Sequence, residues 1–219
     1  MAVNLYAHPL SSYCQKALIA LYELDLPFDL KFLDPSDAAV TAELKALWPI
    51  GKFPVLVDDG QVVAEASLII EYLDIKAGGG RLVPMDAASC LEMRLMDRVF
   101  DNYISTPQQK TIADRMRPTD GHDPTGVADA HALLEKTYAW LDGKLNGRSW
   151  AAGEVFTLAD CAAAPALFYA DWVHPIGTQF PVLSAYLKRL RDRPAVARAI
   201  EGGRPYHHFV PGGIPAHVS

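Results

Sequence analysis

Hydrophobic and polar positions change their period every ten residues or so through the first third of the chain. Val3 to Tyr6 is a short apolar run and predicts a strand. His8-Pro9-Leu10-Ser11-Ser12 breaks it with turn and cap residues, and Lys16 to Leu24, rich in Ala, Leu and Ile, predicts a helix that Asp25-Leu26-Pro27 stops. Phe28 to Leu33 alternates with period two and predicts a half-buried strand, and Ala38 to Leu47 predicts a second, weaker helix. A loop with two prolines, Trp48 to Pro54, leads into Val55-Leu56-Val57; Asp58-Asp59-Gly60 is a hairpin signal, with Gln61 to Ala64 as the returning strand. Glu65 to Ile75 then carries Leu68, Ile69, Tyr72 and Leu73 at helical spacing. The order βαβ, hairpin, helix implies a small mixed sheet, with parallel strands from the βαβ unit and an antiparallel edge from the hairpin.

Lys76-Ala77-Gly78-Gly79-Gly80-Arg81 reads as a linker, and beyond Ala87 no segment alternates like a strand. Met93, Met96 and Phe100 recur at helical spacing, as do Leu133, Tyr138 and Leu141, so the second part is expected to be all helical from about residue 86. The expected domains are 1–78 and 86–219, with Pro211 to Pro215 an irregular tail. Half of the 219 residues are apolar and 21% are charged, which excludes a mostly disordered chain. A net charge of −6 lacks the basic field of a nucleic-acid binder. No apolar run approaches the roughly 20 residues of a membrane span, and the first residues show neither basic leader nor long apolar core, so no signal peptide is expected. Three cysteines, Cys14, Cys90 and Cys161, fit a reducing cytoplasm better than a disulfide framework, and none has zinc-ligand spacing.

Three short stretches carry candidate chemistry. Ser11-Ser12-Tyr13-Cys14 lies between a strand and a helix, where free N–H groups and the helix dipole favour an anion such as a thiolate. Ser11-x-x-Cys14 has the spacing of a redox motif whose first cysteine is serine: its hydroxyl cannot form a disulfide but can donate to a sulfur bound from elsewhere. The plainer reading is that Ser11 or Ser12 caps the helix. Pro54 enters a strand; a cis bond there would leave the preceding N–H and C=O free for an extended ligand, but the plainer reading from sequence alone is a trans proline at an edge-strand start. Glu65-Ala66-Ser67 opens a helix, where a carboxylate can hold an ammonium and free N–H groups a carboxylate, or where Glu and Ser merely suit a first turn.

The order of these stretches resembles the soluble glutathione transferases over nearly the whole chain. The resemblance rests on Leu5-Tyr6 through Ser11-Ser12-Tyr13-Cys14-Gln15-Lys16, on Pro49-x-Gly51-Lys52-Phe53-Pro54-Val55-Leu56, on Glu65-Ala66-Ser67 through Leu73, and on the capping-box sequence Thr157-Leu158-Ala159-Asp160. It implies a thioredoxin-like domain followed by an all-α domain, a cytoplasmic homodimer, and glutathione as co-substrate in attack on a small hydrophobic electrophile held between the domains. By position, Ser11 would activate the thiol, Lys52, Phe53 and Pro54 would hold the middle of glutathione, and Glu65, Ala66 and Ser67 its γ-glutamyl end. No metal is implied. Two positions depart from the pattern: Ala66 stands where a serine is common, and Trp48 where an asparagine often precedes the proline. A lost hydrogen bond to a charged group is worth roughly 1.5–3 kcal/mol, so Ala66 would weaken the site unless Ser67 compensates.

The activation arithmetic favours Ser11. Lowering a thiol from about 8.5 by about two units needs roughly 2.7 kcal/mol. A helix N-terminus supplies roughly 0.3–1, up to about 2 when partly buried, and a hydroxyl donor supplies roughly 1.5–3; the two together suffice. Ser12 and the strand residue Tyr6 are rivals, Tyr6 being read first as core. Cys14 is reactive if exposed at the helix start and inert if it faces the sheet; thiol transfer through Cys14, and a non-catalytic scaffold role, are the competing functions. Cys90 and Cys161 are read as structural. Tyr103, Met116 and Phe168 are read as core ahead of pocket lining, His207-His208 as surface ahead of a metal site, and Asp97 and Asp101, by analogy alone, as able to reach a γ-glutamyl ammonium across a dimer interface.

Overall fold

In the computed structural model, which describes residues 3–215, four strands and three helices precede a helical bundle. The strands are β1 (Val3–Ala7), β2 (Phe28–Phe32), β3 (Val55–Asp58) and β4 (Gln61–Ala64), and the sheet order is β2-β1-β3-β4. β1 pairs parallel with β2, Val3 opposite Phe28, and antiparallel with β3, Leu5 opposite Leu56. Asp59 (φ 47°) and Gly60 (φ 84°) both adopt positive φ between β3 and β4, the signature of a type I′ hairpin turn, whose twist matches that of the strands it joins. Helices α1 (Ser12–Glu23), α2 (Ala38–Leu47) and α3 (Ala66–Lys76) complete this part. The first helix starts four residues before the expected Lys16: Ser11 has an extended backbone and hands over to the helix directly.

From Ala87 the chain is helical: α4 (Ala87–Val99), α5 (Thr106–Arg115), α6 (Pro124–Lys144), α7 (Leu158–Val173), α8 (Pro181–Arg191) and α9 (Pro194–Gly203), with a 3₁₀ turn at Arg204–Phe209. Between α4 and α5, Phe100–Ser105 widens into a π-helical turn. Pro107 explains its place, since a proline ring crowds the carbonyl four residues back and supplies no N–H to it; the wider register relieves both. α7 is buried on nearly all sides, and α1 packs against it on the face away from the sheet. One apolar core therefore runs from Leu5 and Leu56 in the sheet through Leu18 and Leu21 to Leu167 and Tyr186 among the helices. At the head of α7, the Asp160 carboxylate accepts the Thr157 N–H at 2.8 Å, the Ala151 N–H at 2.8 Å and the Tyr186 hydroxyl at 2.6 Å, so this buried group is fully satisfied. Asp160 is the reciprocal half of the capping box read from the sequence. No helix among the described residues is long and apolar enough to cross a membrane.

Candidate functional site

The start of α1, the loop before β3 and the start of α3 converge at the C-terminal end of β1, and a cleft of about 740 Å³ opens between them and the helical bundle. Ser11, Ser12 and Tyr13 form one part of its rim. Ser11 occupies the N-cap position, yet its side chain makes no capping hydrogen bond. Its hydroxyl is thus not committed to the backbone, and the Ser12 and Tyr13 N–H groups head the helix without intrahelical acceptors.

Lys52, Phe53 and Pro54 form the next part of the rim, together with Trp48 and Gly51. The Phe53–Pro54 bond is cis, not the trans bond of the plainer sequence reading. Among the described residues, no hydrogen bond engages the Phe53 N–H or C=O. Trp48 closes α2, lines the cleft and packs against the small core of Tyr6, Leu33, Leu44 and Val55.

Glu65 and Ala66 complete the first-domain wall. Glu65 is the N-cap of α3 at φ 72° and ψ 119°. A non-glycine residue in that region costs on the order of 1–3 kcal/mol and persists where surrounding structure holds it, which happens most at ligand sites. Ser67 does not line the cleft. Its hydroxyl accepts from Lys16 Nζ at 2.8 Å and from Arg98 Nη2 at 2.7 Å and donates to Asp97 Oδ2 at 2.9 Å. The expected compensation of Ala66 by the Ser67 hydroxyl is therefore not available; that hydroxyl belongs to an ion-pair cluster behind the wall.

Lys16 is the centre of that cluster. Its side chain is 1% exposed, and Nζ lies 2.5 Å from Asp97 Oδ1 and 2.9 Å from Asp101 Oδ2. Arg98 pairs with both carboxylates, at 2.5 and 2.8 Å. Two cations face two carboxylates, so the cluster is neutral. Burial pushes the Asp97 carboxyl up, but Lys16 and Arg98 outweigh it and hold it below the usual carboxylate range. Burial also raises Asp101, and there Lys16 and Arg98 do not overcome it with Asp97 adding to the rise. Asp97 and Asp101, considered for a ligand ammonium across a dimer, are held within their own chain.

The bundle side of the cleft is partly polar and partly apolar. Arg98, Asp101, Asn102, Gln108 and Gln109 line it near α3, while Ile112, Met116, Trp172, Phe209 and Val210 form the apolar end. Met116 is thus wall, not core; Phe168 packs on Tyr169 and Trp172, and Tyr103 lies outside the cleft. The 3₁₀ turn at Arg204–Phe209 is held beside the cleft: Tyr206 stacks on Phe32 and meets the His8 ring at 4.9 Å, and His207 meets Trp172 at 5.4 Å; of the tail read as irregular, Pro211 lines the cleft. No group of three or more metal-ligating side chains occurs among the described residues.

The rivals of Ser11 are differently placed. The Tyr6 hydroxyl donates to Glu43 Oε1 at 2.6 Å, away from the cleft, and burial with that carboxylate pushes it up to about 12. Cys14 is fully buried, and desolvation pushes its thiol up to about 12 against the smaller opposing pull of the Ser11 side chain and the His8 backbone. A thiol so placed is neither accessible nor ionised near neutrality, so the route of thiol transfer through Cys14 is not supported. Cys161 is likewise buried; Cys90 is half-buried at the edge of the main core.

Comparison with known proteins gives this arrangement its family. Residues 5–81 match the glutathione S-transferase N-terminal domain and residues 124–189 the glutathione S-transferase C-terminal domain. A glutathione S-transferase of Methylobacterium radiotolerans, solved in complex with glutathione sulfonate, is 30% identical, with a TM-score of 0.80 over 91% of this chain and 95% of that one. Protein LigF of a Sphingobium species is 28% identical over 92% of this chain and 94% of its own. Glutathione S-transferase GstB of Escherichia coli is 26% identical over 90% of this chain and 97% of its own. The chain belongs to the glutathione S-transferase family. Its fold is the thioredoxin-like domain followed by the helical domain.

Proposed function

We propose that this protein binds glutathione in the interdomain cleft and activates its thiol for attack on a small hydrophobic electrophile, joining the intact glutathione to it. The observation that carries the reading is the convergence, on one cleft, of a Ser11 hydroxyl that makes no capping bond to the helix backbone, the Phe53 backbone with no hydrogen bond among the described residues, and the N–H groups at the start of α3. The Phe53 N–H and C=O pair with the cysteinyl segment as a short strand would. Lys52 and Pro54 flank that segment. Glu65 and the Ala66 and Ser67 N–H groups hold the γ-glutamyl ammonium and carboxylate. The glutathione sulfur then lies at the α1 N-terminus, where Ser11 donates a hydrogen bond to the thiolate after its proton leaves to solvent. The thiolate forms a carbon–sulfur bond at the electron-poor carbon of the electrophile, and the leaving group departs with the electron pair of the bond it breaks. Ile112, Met116, Trp172, Phe209 and Val210 supply the apolar end against which such an electrophile packs.

The working unit in this reading is a cytoplasmic homodimer of 1–78 and 86–219 domains. The exposed Leu68 and Ile75 on α3 and Leu91 and Leu95 on α4 are the apolar surface it would cover. Ser11→Ala tests the catalytic assignment. Turnover falls and the pH–rate profile moves to higher pH, with glutathione KM little changed; an unmoved profile removes Ser11 from the role. A non-catalytic binding protein is the second reading, favoured by Ala66. It predicts no glutathione binding at millimolar concentration and no conjugation of aryl or alkyl halides.

A further inference from the structure

Ala66 removes a hydroxyl from the carboxylate subsite, and Ser67 is turned away from it, yet the cleft wall beside Ala66 is not left without a strong donor. Arg98 lies there with Glu65 and Ala66. Its side chain is 52% exposed, far more than the buried carboxylates it pairs with. Its Nε and Nη2 hold Asp97, Asp101 and the Ser67 hydroxyl, which fixes the plane of the guanidinium. Among the described residues Nη1 has no partner, so both of its hydrogens are available. The 2.7 Å bond from Nη2 to Ser67 Oγ, one residue along from Ala66, keeps the guanidinium at the head of α3.

Resting on the glutathione-binding reading above, we propose that Arg98 takes the α-carboxylate of the γ-glutamyl group, replacing the hydroxyl absent at Ala66. An arginine fixed by three protein acceptors loses little freedom when it adds a fourth, and it recognises a planar carboxylate better than a hydroxyl can. The incoming group is a zwitterion. Its carboxylate meets Arg98 and the Ala66 N–H, and its ammonium meets Glu65. The ligand end is neutral overall as a zwitterion, so its arrival adds no net charge to the wall. Arg98 is in this account a specificity determinant for ligands with a free α-carboxylate; it takes no part in activating the thiol.

The test compares glutathione with 4-aminobutyryl-cysteinyl-glycine, which keeps the ammonium, thiol and glycine but lacks that carboxylate. Calorimetric affinities are measured for the unaltered protein, Arg98→Met, and Arg98→Met with Ala66→Ser. The unaltered protein prefers glutathione by roughly tenfold or more, the worth of a charge-assisted hydrogen bond. Arg98→Met loses most of that preference by weakening glutathione alone, and adding Ala66→Ser restores a severalfold part of it. Equal weakening of both ligands by Arg98→Met makes Arg98 merely structural and overturns the proposal, as does unchanged preference. If Arg98→Met does not fold, the unaltered protein still decides: equal affinity for the two ligands overturns the proposal. Failure of the unaltered protein to bind either ligand overturns the glutathione reading itself.

Discussion

Replacing Lys16 with Met tests how the two domains are held in register at the site. Lys16 lies in α1, Ser67 in α3, and Asp97 and Asp101 on α4 and the π turn, so this one ammonium ties both helices whose starts line the cleft to the bundle. Met keeps the length and apolar volume of the stem, which leaves charge as the main change. The cluster then holds two carboxylates against one guanidinium, a net −1, with Asp97 and Asp101 only 5% and 12% exposed at their side chains. Removing one partner of a buried ion pair costs about 3–5 kcal/mol, chiefly because the charge left behind is unpaired. At about 2–4 °C per kcal/mol for a protein of this size, the unfolding midpoint falls by roughly 6–20 °C. Adding Asp97→Asn restores neutrality and returns part of the loss, so the pair is strongly non-additive. The assay is thermal unfolding of the single and double variants without ligand. A fall of less than 2 °C for Lys16→Met, or simple additivity with Asp97→Asn, refutes the claim that charge balance holds this junction.

Iodoacetamide leaves Cys14 unmodified in the native protein, and Cys14→Ala retains activity; peptide mapping that finds Cys14 alkylated in step with inactivation contradicts its burial. Tyr6→Phe leaves the pH–rate profile in place, since the Tyr6 hydroxyl serves Glu43 and not the cleft; an altered profile would return Tyr6 to the catalytic candidates. Asp97 has a folded pKa below its unfolded value, so it contributes stability in full above about pH 4 and loses it as pH falls through the folded value. Urea midpoints measured from pH 5 downward should therefore fall less steeply in Asp97→Asn than in the parent protein, and parallel curves contradict the assignment.

The first domain was legible because its periods are clean. The βαβ order, the Asp59-Gly60 turn and the α2 and β4 limits follow from alternation and turn chemistry alone. Ser11, Phe53, Pro54 and Glu65 were also legible, since helix starts and a proline at a strand entrance have local sequence signals. The bundle side of the cleft was not. Gln108, Ile112 and Trp172 sit in ordinary helical patterns, and only packing decides which face meets the first domain. Lys16 sits between residues of an apolar helix face and reads as a solvated lysine; its burial depends on Asp97 and Asp101 more than 80 residues later. The spacing of those two acids, one turn apart on one helix face, was the available signal. Phe209 reaches the cleft through a ring contact to His8, and Val210 through packing on the Phe168, Tyr169 and Trp172 cluster, which no local rule foresees.

The central claim is that Ser11 and the α1 N-terminus ionise the glutathione thiol. It is met most directly by following the ultraviolet thiolate band of bound glutathione against pH, in the parent protein and in Ser11→Ala. The account predicts that the bound thiol titrates about two units below its value of about 8.5 in water, and that Ser11→Ala returns it at least one unit toward that value. A bound thiol that titrates as it does in free solution, or an identical curve in Ser11→Ala, contradicts the account.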